Sequence, residues 1–113
     1  RPMLITNIPE GSETSQAEFF GPISQVYRAK DEDDAVRIAN DTPFGLAAYV
    51  FAGDTGRALT IAERIEAGMV AINKGTISDP AAPFGGVKES GVGREGGMEG
   101  IGEYLEPKYI SLP

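Results

Sequence analysis

No cysteine and no histidine occur among the 113 residues, and tryptophan is absent as well. Without thiols there is no disulfide framework. Without thiol or imidazole there is neither a Cys–His nucleophile–base pair nor an ordinary zinc site within these residues. Positive charge is also scarce: 10 Lys and Arg stand against 17 Asp and Glu, a formal net charge of -7. That balance opposes the positive face required by a nucleic-acid backbone or an anionic lipid surface, so neither nucleic acid nor membrane is expected as a partner. No apolar run approaches the roughly 20 residues that cross a bilayer, and the first residues lack a charged segment followed by an apolar one. These readings place the chain in the cytoplasm. The length suits one compact core, and the chain opens on Arg1 rather than Met. The expectation is one lobe of a longer polypeptide.

What is present alternates between two periods. Met3, Leu4, Ile5 and Ile8 read as a short strand, followed by a polar, Gly-containing loop over 9–15. A second strand spans 23–29 and stops at the acidic run DEDD (31–34). Four carboxylates there suit a helix start, where they cap free N–H groups and face the positive end of the helix dipole; no other ligand type is near enough to suggest a metal. Ala35, Val36, Ile38 and Ala39 supply that helix with a short apolar face, and TPFG (42–45) ends it. The pattern then repeats. The unbroken apolar run 46–51 predicts a strand covered on both faces, and Asp54 opens a helix whose Ala58, Ile61, Ala62 and Ile65 fall at i, i+3, i+4, i+7. Gly68 is placed to end it, and Met69, Val70, Ala71 and Ile72 make another buried strand. Strands alternating with helices predict the α/β class, a mostly parallel sheet built from right-handed crossovers. Beyond Asn73 an irregular stretch leads to a helix expected over about 94–104 and a final strand over 108–112.

Eight of the 15 glycines lie between 85 and 102, and GVGREG (91–96) has the spacing G-x-G-x-x-G. A dinucleotide fingerprint needs a hydrophobic strand directly before its first glycine, so that the turn presents a helix N-terminus to the pyrophosphate. The residues before Gly91 are GGVKES (85–90), which cannot be that strand. The expected acidic residue some 20 positions on would fall near the end of the chain. Close backbone packing is the better reading of these glycines.

The stretch PFGGVKESGVGREG (83–96) resembles the C-terminal signature P-F-G-G-x-K-x-S-G-x-G-R-E of the NAD(P)-dependent aldehyde dehydrogenase superfamily. Three further matches come in the same order: EFFGPI (18–23) is similar to E-x-F-G-P-[VIL], ANDTPFGLAA (39–48) to A-N-x-x-x-[YF]-G-L-[AS]-A, and GMVAIN (68–73) to G-x-V-x-[IV]-N. The resemblance covers essentially the whole chain. It implies the C-terminal lobe of the catalytic domain over residues 1–113, with 107–113 as the tail strand that takes part in subunit assembly, in a dimer or a tetramer. The family's catalytic thiol and general-base Glu precede this region, which agrees with the absence of Cys and leaves no catalytic residue here. By resemblance Glu18 would accept hydrogen bonds from the nicotinamide ribose and Phe20 would support the nicotinamide ring. A carboxylate is an acceptor that can take two hydroxyl donors, and an aromatic face can hold a flat ring. Where the family commonly has two acids before the phenylalanine motif, this chain has Ala17 and then Glu18.

The run NKGTISDP (73–80), before the signature, is similar to succinate-semialdehyde dehydrogenases. There the residue matching Ser78 helps to hold the distal carboxylate of the substrate, and Phe84 would form an apolar wall of the same pocket. A hydroxyl donating to an anion is a strong hydrogen bond. From spacing alone Ser78 reads as a turn residue beside Asp79 and Pro80, Glu18 as a surface carboxylate and Phe20 as a core residue, while Phe84 is equally a core residue. The resemblance thus implies part of an NAD- or NADP-dependent enzyme that oxidises a semialdehyde to the acid, itself inactive without the thiol. The alternative is a non-enzymatic α/β binding or assembly module.

Overall fold

The computed structural model describes all 113 residues. Strand β1 (Met3–Ile5) ends where Asn7 turns into the left-handed region (φ 55°), and the short helix α1 (Glu13–Gln16) follows, capped by Ser12. Then come β2 (Ile23–Gln25), α2 (Glu32–Asn40), β3 (Phe44–Gly45), β4 (Ala47–Val50), α3 (Thr55–Ala62), β5 (Met69–Ile72), β6 (Val87–Lys88) and a 3₁₀ helix (Glu99–Tyr104). β1 pairs with β2 and β4 with β5, both in parallel, whereas β3 pairs antiparallel with β6. The α/β class and the predominance of parallel pairing hold, although the expected sheet is three two-stranded ladders.

The β4–α3–β5 unit is the most regular part. Asp54 caps α3 by accepting from the Arg57 amide (2.6 Å). The helix lies on β5 and β4 through Ala58, which is fully buried, with Ile61, Ala62 and Ile65 half-buried beside it. Small residues carry the core: Val36, Ala58 and Ala71 are its only buried apolar members. The run at 46–51 departs from expectation, because only one face of β4 is covered, leaving Tyr49 47% and Phe51 69% exposed. The helix expected over 94–104 shrinks to its last six residues, Glu99–Tyr104. Gly96 and Gly97 take positive φ (66° and 58°), and four glycines within 96–102 oppose helix formation. The strand expected over 108–112 is also absent; those residues are exposed and join no ladder, since no strand of this chain stands beside them to complete the hydrogen bonds. No helix is long and apolar enough to cross a membrane.

The acidic run at 31–34 is fully employed by α2. Asp31 is the N-cap, accepting from the Asp34 amide (2.9 Å), and Asp34 reaches back to the Lys30 amide (3.1 Å). Glu32 pairs with Arg57 (2.6 Å) and Arg64 (3.3 Å), and Asp33 with Arg64 (2.6 Å), which fastens the start of α2 to α3. Arg37 bridges Asp34 (2.8 Å) and Glu10 (2.9 Å). Its hydrogen bond to Asp34, followed by that of the Lys30 amide, holds the Asp34 carboxyl below its ordinary pKa. A depressed folded-state pKa contributes stability above the unfolded value and loses it as pH falls through the folded value. Asp34→Asn is therefore expected to lower Tm near pH 6, with the two melting curves converging as pH drops below about 4. A constant Tm gap across that range would exclude the ionised carboxylate as the source.

Candidate functional site

The signature residues 83–96 fold into a hairpin-like loop whose ends are held by a reciprocal backbone pair. The Phe84 amide donates to the Glu95 carbonyl and the Glu95 amide to the Phe84 carbonyl, each at 2.7 Å. Inside it the Arg94 guanidinium donates to the carbonyls of Gly86 (2.9 Å) and Gly93 (2.7 Å). That cation is spent on the loop itself. The loop docks on β3 through Ser90, whose Oγ accepts from the Gly45 amide (2.9 Å), and through the Glu89 amide, which donates to the Pro43 carbonyl (2.9 Å).

Glycine makes this docking possible by letting backbones touch. A Cβ on Gly68 would lie 2.0 Å from the Gly85 carbonyl oxygen; one on Gly85 would lie 2.6 Å from the Gly93 carbonyl, and one on Gly86 3.1 Å from the Leu46 Cα. Gly91 and Gly93 (φ 116° and 78°) make the turns that no residue with a Cβ adopts easily. No strand leads directly into Gly91, and the 3₁₀ helix begins only at Glu99, so the G-x-G-x-x-G spacing presents no helix N-terminus to a phosphate.

Two clefts open on either side of the docked loop and share Leu46 and Ser90 as a common wall. One, of about 870 Å³, is lined by Phe84, Gly85, Gly86 and Arg94; the other, of about 540 Å³, by Glu18, Phe44, Glu66 and Glu89. Of the four residues singled out by sequence, Phe84 thus belongs to the first cleft and Glu18 to the second. Phe20 and Ser78 line neither. Phe20 is 97% exposed, on a loop bent by the bonds Gly21 N–H to Phe19 O (2.9 Å) and Ile23 N–H to Gly21 O (2.8 Å). Ser78 is exposed too, and Asp79 rather than Ser78 holds the adjacent turn, its carboxylate accepting from the Ala81 amide (2.9 Å).

Several residues that the sequence reading placed in motifs without giving them a role support this geometry. Asn73 (φ 52°) clasps Ala52 with its side-chain amide, accepting from its N–H and donating to its carbonyl, both at 2.9 Å. This ends the β4–β5 ladder and starts the Ser78 loop. Asn is the non-Gly residue most at ease in the left-handed region, which was the available signal. Ser90 and Lys88 fill the S and K of the signature, but their partners lie more than 40 residues away in sequence, so spacing alone does not reveal what they hold. Chemically, the surroundings of the clefts offer a carboxylate acceptor, exposed aromatic faces and a hydroxyl, and the chain has no thiol or imidazole. Glu18 is a carboxylate acceptor in one cleft, and Phe20, outside both, presents an exposed aromatic face.

Residues 1–110 match the profile of the Aldehyde dehydrogenase family. The chain is 49% identical over 111 residues to a glutarate-semialdehyde dehydrogenase of Pseudomonas aeruginosa, covering 98% of this chain and 23% of that protein. It is 47% identical over 112 residues to an NADP(+) succinate-semialdehyde dehydrogenase of Escherichia coli, covering 99% and 23%. Its fold superposes on a betaine aldehyde dehydrogenase point mutant of Staphylococcus aureus, solved in complex with NAD+, with a TM-score of 0.89 at 42% identity, covering 95% of this chain and 22% of that one. The chain therefore spans less than a quarter of the length of the relatives it matches.

The backbone crossing at Gly68 sets the second prediction. Gly68→Ala requires the 2.0 Å contact with the Gly85 carbonyl to open by more than 1 Å, and is expected to cost at least about 3 kcal/mol or to prevent docking of the loop. Gly53→Ala, with nothing within 4 Å, is expected to stay within about 0.5 kcal/mol of the parent in urea unfolding. Equal effects of the two would show that the crossing is not tight.

Proposed function

This chain belongs to the aldehyde dehydrogenase family, and we propose that it supplies the nicotinamide-ribose contact and one wall of the aldehyde pocket to an enzyme that oxidises a semialdehyde ending in a distal carboxylate. Glu18 accepts from the ribose hydroxyls, and Phe20 lies against the nicotinamide ring. When bound, the NAD or NADP takes up hydride from the substrate carbon. The nucleophilic thiol and the general base come from polypeptide outside these 113 residues, since the chain holds no Cys. Ser78 donates to the distal carboxylate and Phe84 lines the apolar part of the pocket. Residues 107–113, unpaired here, complete their strand against a second copy in a homo-oligomer.

The observation that carries the substrate class is the pair of relatives named for glutarate and succinate semialdehydes, at 49% and 47% identity. Both substrates carry a carboxylate at the end remote from the aldehyde. The exposed Ser78 is consistent with it, because the neighbouring turn is made by Asp79 and its hydroxyl is free for another duty.

Two outcomes are expected. The 113-residue chain alone turns over no aldehyde with NAD or NADP, and turnover by the pure chain above background would refute the division of labour. In the full-length enzyme Ser78→Ala removes a hydrogen bond to a charged group, worth about 1.5–3 kcal/mol. The corresponding fall in kcat/KM for a carboxylated semialdehyde is about 10- to 150-fold, at about 1.4 kcal/mol per decade. It falls mainly on KM, because the distal group is bound alike in the ground and transition states. A neutral aldehyde of similar length should be unaffected. Equal losses for both substrates would return Ser78 to the turn.

A further inference from the structure

Lys88 sits in the left-handed region with φ of 55°, a conformation that residues with a long side chain seldom hold without compensation. The compensation is visible at its ammonium. Three acceptors lie around Nζ: the Asn40 carbonyl at 2.8 Å, the Thr42 carbonyl at 3.2 Å and the Glu66 carboxylate at 2.7 Å. An ammonium has three protons to give, so every donor is engaged. The first two acceptors lie at and just beyond the C-terminal end of α2, where carbonyls lack intrahelical partners. Asn40 extends the knot with its own side chain, donating to the Arg64 carbonyl (2.9 Å) and accepting from the Glu66 amide (2.9 Å). Four segments thus meet at one cation: the end of α2, the turn into β3, the connection from α3 to β5, and β6 in the signature loop.

Those same segments wall the cleft that contains Glu18. Thr42, Glu66, Glu89 and Ser90 all line it, and the two bonds that dock the loop on its far side, Gly45 N–H to Ser90 Oγ and Glu89 N–H to Pro43 O, lie immediately beside the Lys88 register position opposite Phe44. We propose that Lys88 is a positioning residue for the cofactor-side cleft: its ammonium straps the signature loop to the end of α2 and to Glu66, and so fixes the wall against which Glu18 presents its carboxylate. The inference rests on the reading that Glu18 meets the nicotinamide ribose. The ammonium donates in three directions to acceptors on three segments. A guanidinium, whose donors lie in one plane, does not reproduce that arrangement.

The test compares Lys88→Met, which keeps the aliphatic stem, with Lys88→Gly, which also relieves the positive φ, in the full-length enzyme. Three readouts are taken: calorimetric Kd for NAD+ and NADP+, KM for a carboxylated semialdehyde, and amide hydrogen exchange at Gly45 and Glu89. Both variants are expected to weaken dinucleotide binding about tenfold, the equivalent of about 1.4 kcal/mol, to leave the aldehyde KM within about twofold, and to speed exchange at both amides. Should Lys88→Met fail to fold, Lys88→Gly carries the same comparison, having lost the strain with the strap. An unchanged dinucleotide Kd with unchanged exchange overturns the proposal, as does an equal rise in dinucleotide Kd and aldehyde KM, the sign of general damage. Glu18→Gln serves as the separate check. If it leaves the dinucleotide Kd untouched, the assignment of Glu18 fails, while the exchange data still decide whether Lys88 holds the loop.

Discussion

Between Gly68 and Gly85 there is no room for one additional carbon, and the arrangement of both clefts follows from that crossing. The strand β5 begins immediately after Gly68, whose amide donates to the Gly45 carbonyl in β3 (2.9 Å), while Gly85 opens the signature loop that pairs back onto β3 through β6. One point of backbone contact therefore registers the βαβ unit against the loop that carries Phe84, Ser90 and Arg94. Side chains at such a crossing would have to rearrange with every change in packing; two glycines fix the distance by the van der Waals radii of the main chain alone. Lys88 and Ser90 then set the angle, one by charge and one by a single hydroxyl.

The remainder of the chain has little to hold it in place. Six of 113 residues are buried, none of them a large side chain, and the radius of gyration of 17.8 Å exceeds the roughly 13 Å of a compact domain of this size. Leu4, Phe51 and Ile110 are all more than 65% exposed. Each of the ion pairs has at least one partner open to solvent, and pairs of that kind contribute little each. A chain with this much exposed apolar surface gains stability wherever that surface is laid against other polypeptide. That accords with its spanning under a quarter of its relatives, and it gives the regular β4–α3–β5 unit the role of a local anchor around which the loops are set.

Local grammar was legible wherever the determinants were local. The acidic start of α2, the helix opening at Asp54 and the α/β alternation follow from capping chemistry and periodicity, and the structure holds all three; the i, i+3, i+4, i+7 face holds only to Ala62, where α3 ends, with Ile65 beyond it. The failures share one cause. The run at 46–51 has the composition of a strand covered twice, and residues 108–112 alternate like a strand, but no element of this chain covers the second face of the one or pairs with the other. Composition records what a segment is built to touch, whether or not the partner is present. The helix expected across Gly96 and Gly97 fails for a local reason, since both glycines take positive φ. Of the candidate site, Glu18 and Phe84 fall in adjoining clefts, while the Lys88 knot joins residues 40, 42, 66 and 88, separations at which sequence spacing carries no information.

The distribution of charge around the two clefts explains why the groups proposed to meet ligands differ in kind. A lobe with a net charge of -7 repels anions at long range, so an anionic substrate end has to be met by donors placed at short range. Near the signature loop the cations are committed: Arg94 to the carbonyls of Gly86 and Gly93, Lys88 to Asn40, Thr42 and Glu66. A neutral hydroxyl such as that of Ser78 is a donor whose desolvation costs far less than that of a charged group. Its neighbour Asp79 would repel a carboxylate, and the bond from the Ala81 amide satisfies that charge within the turn. In the cleft that contains Glu18 the proposed requirement reverses, since ribose hydroxyls are donors that seek an acceptor and a carboxylate is one. Short-range donors on one side and an acceptor on the other are what a site must have if a hydride is to pass between an anionic aldehyde and a hydroxylated nucleotide held a few ångströms apart.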